Sequence, residues 1–238
     1  MTSLFNQCAN GEHMLSENMP LIGDIAPAFR ATTTNGDIVF PDDFSGKWVV
    51  FFSHPSDFTP VCTSEFIVFQ ETLNEFKNMN TELLGLSIGS IPSHLAWIRA
   101  IQEISNVEIT FPIIADVNMA IARKYGMIAP AVSNTHAVRA VFIIDPSGTI
   151  RAILYYPAIL GRCIDEIKRA VLGLQTADKF GVSIPADWTA GRDVLVNAPA
   201  TADALRKTDN KSPWFLAYKK LPESEIYAKI YKKQNGNK

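Results

Sequence analysis

Between residues 47 and 53 the chain reads Lys-Trp-Val-Val-Phe-Phe-Ser, a short apolar run rich in β-forming residues and without polar alternation. Such a run marks a strand buried on both faces, and a sheet containing it must be covered on each side. Turn material follows, His54-Pro55-Ser56-Asp57-Phe58, and from Thr59 a helical period places Phe66, Phe69, Leu73 and Phe76 on one face. The alternation then repeats. Residues 82–88 read as a strand, 92–104 as a helix, 111–115 as a short strand, and 118–124 as a helix ended by Gly126. Strands alternating with helices predict an α/β fold with a parallel or mixed sheet. Residues 137–145 and 149–156, joined by Pro146-Ser147-Gly148, predict a hairpin that adds an antiparallel edge.

A helix is expected over 162–174 and a last one over 223–232, with Pro185, Pro199 and Pro213 punctuating a looser stretch between them. The division expected is a flexible leader over 1–20, a main domain over 21–180, and a carboxyl-terminal arm over 181–238. A chain of 238 residues is long for one domain and short for two, which suits a full-sized domain with an appendage.

Twenty-two basic and 24 acidic side chains nearly balance, and no like-charge run marks a nucleic-acid or membrane surface. Partners are therefore expected to be small molecules or further copies of the chain. The polar amino-terminal stretch lacks the apolar segment of a signal peptide, and no window approaches the roughly 18 apolar residues of a membrane span, so a cytoplasmic location is expected. Cys8, Cys62 and Cys163 are the only cysteines. Three is too few for a disulfide framework or a Cys-rich zinc site, which points to a reactive thiol.

Cys62 is the candidate. Thr59 stands at an N-cap position, Pro60 at the first helical position, and Cys62 in the first turn, where unsatisfied backbone N–H groups and the positive end of the helix dipole favour the nucleophilic thiolate. The stretch Pro55-Ser56-Asp57-Phe58-Thr59-Pro60-Val61-Cys62-Thr63-Ser64-Glu65 resembles the active-site motif of peroxiredoxins. Flanking segments carry the resemblance further: Leu86-Ser87-Ile88, His94-Leu95-Ala96-Trp97, Arg139 to Pro146, Tyr155-Tyr156-Pro157 and Gly161-Arg162 are similar to the one-cysteine group and its archaeal and bacterial relatives.

The resemblance implies a thioredoxin-like fold and a peroxidase in which Cys62 attacks hydrogen peroxide or a small organic hydroperoxide, with no metal or organic cofactor. It implies that Thr59 holds the peroxide, that Arg139 sits beside the sulfur, and that Arg162 is a second arginine of the site. Glu65, one turn past Cys62, is placed to orient a guanidinium, with Pro55 and His54 as supporting residues. Homodimers, and in some cases decameric rings, also follow from the resemblance, and Trp214, Phe215, Leu216 and Tyr218 of the arm, apolar residues with little local partner surface, are expected to pack on another subunit.

Two departures matter. Lys211 and Ala217 stand where relatives carry resolving cysteines in the arm, which favours reduction by an external thiol such as a thioredoxin-like protein or glutathione. The sequence Ser45-Gly46-Lys47-Trp48 also lacks the lipase-like Gly-x-Ser-x-Gly of some one-cysteine relatives. Cys163 is expected to be structural, packed at the start of a helix, rather than a resolving thiol. The alternatives are a serine hydrolase using Ser87 within Gly85-Leu86-Ser87-Ile88-Gly89, and a non-catalytic redox-signalling or chaperone protein of the same fold.

Overall fold

A computed structural model describes residues 19–208 and 213–231. Its centre is the expected doubly buried strand, β3 (Trp48–Ser53), every residue of which is buried. Val49 and Phe51 point to one face and Val50 and Phe52 to the other, so each side of the sheet has its own core. The strand order is β2 (Gly36–Phe40), β1 (Phe29–Thr33), β5 (Ile113–Ala115), β4 (Thr81–Ser87), β3, β6 (Arg139–Ile144) and β7 (Ile150–Tyr156). β3 runs parallel to β4, and β4 to β5. β6 lies antiparallel to β3 on its other side, and β7 closes that edge.

One face is covered by α1 (Pro60–Glu71), α2 (Leu73–Asn78), α3 (Ile91–Ser105) and α5 (Ile164–Phe180), whose apolar stripes meet Phe52, Leu83 and Val141. The predicted face of Phe66, Phe69, Leu73 and Phe76 is buried there, with Phe69 stacked on Phe52 at 4.3 Å between ring centroids. α4 (Ala120–Lys124) covers the opposite face, into whose core Phe29 and Phe40 of the sheet's edge hairpin, β1 and β2, also pack. That hairpin is absent from the expected elements. Its signal was Asn35-Gly36, with Gly36 at φ +109°, but three consecutive threonines before it obscure the strand alternation.

α5 is longer than predicted, ending at Gly181 in the left-handed region where a side chain would be strained. Beyond it β8 (Val182–Ser183), β9 (Val194–Val196) and β10 (Tyr218–Lys219) form a small antiparallel sheet. Val182, Trp188, Val194, Leu221 and Ile226 make a minor core, the last of these on α7 (Glu223–Ile230), and it packs against Leu172 and Phe180 of α5. Between β9 and β10 lies the short helix α6 (Ala202–Arg206). At the other end, Pro20 is already buried and Met19 packs on the fold, lying over Gly126 so closely that a Cβ there would come within 2.7 Å of it. Residues 1–18, including Cys8, and the 232 end of the predicted last helix lie outside the described residues. Among the described residues no helix is long and apolar enough to cross a membrane.

Candidate active site

The site assembles where β3 runs out. The His54 backbone N–H makes the last ladder bond, to the Leu86 carbonyl at 2.9 Å. Pro55, buried and lacking an N–H, ends the pairing and turns the chain toward α1. Ser53 ties this end to the start of β6, donating to the Val138 carbonyl at 2.6 Å and accepting the Ala140 N–H at 3.1 Å. The first residue of β6, Arg139, is thereby brought over the amino end of α1.

Pro60 occupies the first helical position and Cys62 the first turn, as expected, and the thiol is 0% exposed. Thr59 holds the N-cap position, but its hydroxyl does not cap the helix: it donates to the Ser56 carbonyl at 2.9 Å. That corrects the capping role and leaves the lone pairs of the hydroxyl free to accept. Arg139 is no solvent-facing strand residue. Its Nη1 reaches Cys62 Sγ at 3.2 Å and Glu65 Oε2 at 2.8 Å, while Nε and Nη2 both donate to the Ala158 carbonyl.

Glu65 holds two arginines. Arg162 donates to its Oε1 from Nε and from the backbone N–H, at 2.9 and 2.7 Å, and to Oε2 from Nη2 at 2.6 Å. The other arm of Arg162 reaches the Ser53 and Ala140 carbonyls, and its guanidinium lies 5.0 Å from the centroid of the Phe52 ring. Arg162 therefore precedes α5 instead of lying inside it, and is buried among acceptors that match its rigid fork. Fixed guanidinium donors next to the sulfur can meet charge developing on a polarised O–O bond.

His54 is buried against Phe66 and Trp97. Its Nε2 contacts Asp57 Oδ1 at 3.0 Å, and Nδ1 has no partner among the described residues. Burial lowers the His54 pKa below its ordinary value although Asp57 pulls it up. For Asp57 burial acts to raise the pKa, but hydrogen bonds from His54, His94 and Ser93 outweigh it and hold the carboxyl well below the usual range. Among the described residues His54, Asp57 and His94 are the one group of ligand-type side chains near enough to share a cation. Their spacings are those of hydrogen bonds in which each carboxylate contact faces a ring nitrogen, so donor–acceptor pairing accounts for the cluster.

Sequence reasoning quoted Asp57 and His94 within a motif and assigned neither a role. It also misplaced Cys163, which is the exposed N-cap residue of α5 and not a packed thiol; an extended N-cap residue turns away from the helix interior, so the alternating burial of Arg162 and Ile164 leaves it facing solvent. Ser87 is no nucleophile. It is fully buried, its hydroxyl accepts the Gly89 N–H at 3.1 Å, and the Nε2 of nearby His94 faces the Ile114 carbonyl instead of the serine.

A buried cysteine at a helix start, contacted by an arginine that a carboxylate fixes in turn, is an arrangement suited to thiol chemistry. Residues 22–153 match the AhpC/TSA family, and residues 173–211 match the C-terminal domain of 1-Cys peroxiredoxin. A peroxiredoxin of Methanosarcina mazei is 51% identical over 215 residues, covering 85% of this chain and 98% of the relative, and one of Aquifex aeolicus is 49% identical over 218 residues, covering 86% and 98%. The solved structure of a yeast mitochondrial 1-Cys peroxiredoxin superposes with a TM-score of 0.76 at 37% identity, covering 85% of this chain and 100% of its own. Peroxiredoxin 6 of Arenicola marina gives 0.77 at 32%, covering 86% and 99%. The chain belongs to the peroxiredoxin family. It is a thiol-dependent peroxidase with a thioredoxin-like fold.

Proposed function

We propose that Cys62 is the peroxidatic residue and that Arg139 and Thr59 hold the peroxide, with Glu65 and Arg162 fixing Arg139, and Pro55 and His54 shaping the turn before α1. The observation that carries this reading is the 3.2 Å contact from Arg139 Nη1 to the Cys62 sulfur. Cys62 thiolate attacks the terminal oxygen of hydrogen peroxide or a small organic hydroperoxide; the O–O bond breaks, and water or alcohol leaves after taking up a proton. Cys62 becomes sulfenic acid. One external thiol then condenses with it, releasing water, and a second thiol displaces the first as a disulfide to restore Cys62.

An external reductant is favoured by Lys211 and Ala217 at the arm's cysteine places, and the yeast relative's thiol resolution runs via glutathione and thioredoxin systems. The balanced charge and the apolar residues 214–216 of the arm favour a cytoplasmic homodimer, with a decameric ring as its larger form. The leader is assigned to 1–20, the peroxidase domain to 21–180 and the dimerisation arm to 181–238. Intact-mass analysis after one equivalent of peroxide with dimedone tests the chemistry. A single adduct on Cys62, absent from Cys62→Ser together with peroxide turnover, is expected, whereas turnover retained by Cys62→Ser would refute the assignment. A loss of two hydrogens that vanishes in Cys163→Ser would make Cys163 the resolving thiol.

A further inference from the structure

Asp57 makes no hydrogen bond to Cys62, Arg139, Glu65 or Arg162, yet it is the most heavily hydrogen-bonded side chain of the loop that precedes α1. Its side chain is 3% exposed and accepts from His54 Nε2 at 3.0 Å, His94 Nδ1 at 2.8 Å and Ser93 Oγ at 2.6 Å. The three donors come from two places, the end of β3 and the first turn of α3. We propose that Asp57, gripped by Ser93 and His94, is a positioning residue of the peroxidase: it clamps the Cys62 loop to α3 and holds the His54 ring in one orientation. This rests on the assignment of Cys62 as the peroxidatic residue and extends it to side chains that never touch the sulfur.

Three features support the clamp. The loop is attached to α3 on both sides of the cysteine, through Asp57 five residues before it and through Thr63 just after it, whose hydroxyl accepts Trp97 Nε1–H at 3.2 Å. Between these ties the chain passes through Phe58, in the left-handed region at φ 55°, a conformation a phenylalanine keeps only when its surroundings impose it. The backbone joining β4 to α3 is pressed against the clamp as well: a Cβ on Gly89 would lie 2.8 Å from His94 Cε1 and 3.0 Å from Asp57 Oδ2, leaving the pair no room to slide.

The clamp also sets the tautomer of His54. An ionised carboxylate only accepts, so the proton facing it is on Nε2, and Nδ1 is left as a bare lone pair. Among the described residues that nitrogen is buried without a partner, a condition that costs about 1–3 kcal/mol and that a purely structural hydrogen bond has no reason to maintain.

The test compares two reactions of one sulfur in a background lacking Cys8 and Cys163. Peroxide reduction needs Thr59, Cys62 and Arg139 in register, whereas alkylation by iodoacetamide needs only an accessible thiolate. Asp57→Asn and His94→Leu are expected to lower the second-order rate constant with hydrogen peroxide by about tenfold or more, as loss of alignment does. Alkylation at the same pH should hold or rise, because Cys62 stays beside Arg139 and the loosened loop admits the reagent. His94→Asn, whose amide nitrogen takes the place of Nδ1, is expected to keep the peroxide rate within about threefold of the parent, since it preserves the hydrogen bond to Asp57. A folded Asp57→Asn or His94→Leu that reacts with peroxide at the parent rate overturns the proposal. So does a fall of both reactions in equal proportion, which would mark a structural role alone, and so do His94→Leu and His94→Asn behaving alike should Asp57→Asn not fold. A parent protein inert to peroxide would instead overturn the peroxidase assignment.

Discussion

Glu65 is the residue on which both arginines of the site depend. It is a buried carboxylate whose two oxygens receive four donors, one from Arg139 and three from Arg162. Removing it strands two neighbouring buried cations, so Glu65→Ala should destabilise the protein by about 3–5 kcal/mol in chemical denaturation. A loss under about 1 kcal/mol would mean that water takes over the role of the carboxylate. Arg139→Met keeps the length of the side chain and removes its donors; the rate constant for Cys62 with peroxide should fall by about 10²–10³, read by stopped flow. His54 adds a pH dependence. Its pKa is lowered by burial from 6.5, so below about that pH the unfolded chain binds a proton that the folded protein does not. Stability then drops as pH falls, by up to about 1.4 kcal/mol per unit for this one proton, and His54→Gln should lack that part of the slope. Equal slopes for the two proteins between about pH 7 and 5.5 would show that His54 is not the group concerned.

At the level of elements, the first turn of α1 was readable because capping rules act within a few residues: Thr59-Pro60 starts the helix and puts Cys62 in its first turn. What the Thr59 hydroxyl bonds was not readable, since that depends on the path of the turn through Ser56. The junction of β4 and α3 teaches the same lesson. Gly85-Leu86-Ser87-Ile88-Gly89 has the spacing of a nucleophile elbow, but the second glycine is there because His94 and Asp57 fill the space a Cβ would need. His94 is a buried ring with no room to retreat, so Gly89→Ala should cost about 1–3 kcal/mol and slow peroxide reduction along with it. An unchanged melting temperature would contradict this close packing.

For the whole molecule, the arm combines a buried apolar group with a cluster of three consecutive apolar side chains left open. Leu221 and Ile226 are buried against α5, but Trp214, Phe215 and Leu216 remain substantially exposed, Phe215 at 68%. Truncation at 211 would remove both groups at once. The sharper test of the proposed self-association is Trp214→Ser with Phe215→Ser, which spares the minor core; mass photometry should show the larger species dissociating at a higher protein concentration than in the parent, and an unchanged distribution would place the contact elsewhere.

Hydrophobic periodicity is local, so the strands and helices from Trp48 to Tyr156, the doubly buried centre of the sheet and the cysteine at the head of α1 follow from the residues in order. The active-site motif carried the family as well. The site itself is made of long-range encounters: Arg139 meets Cys62 across 77 residues, Arg162 meets Glu65 across 97, and Asp57 meets His94 across 37. No local rule distinguishes the exposed Cys163 from a packed one, or Asp57 from an ordinary turn aspartate, because their surroundings exist only after β6, α3 and the segment before α5 have converged on the amino end of α1. Burial and partnership are properties of that convergence, and they decide which of the motif's polar residues do chemistry and which hold the others in place.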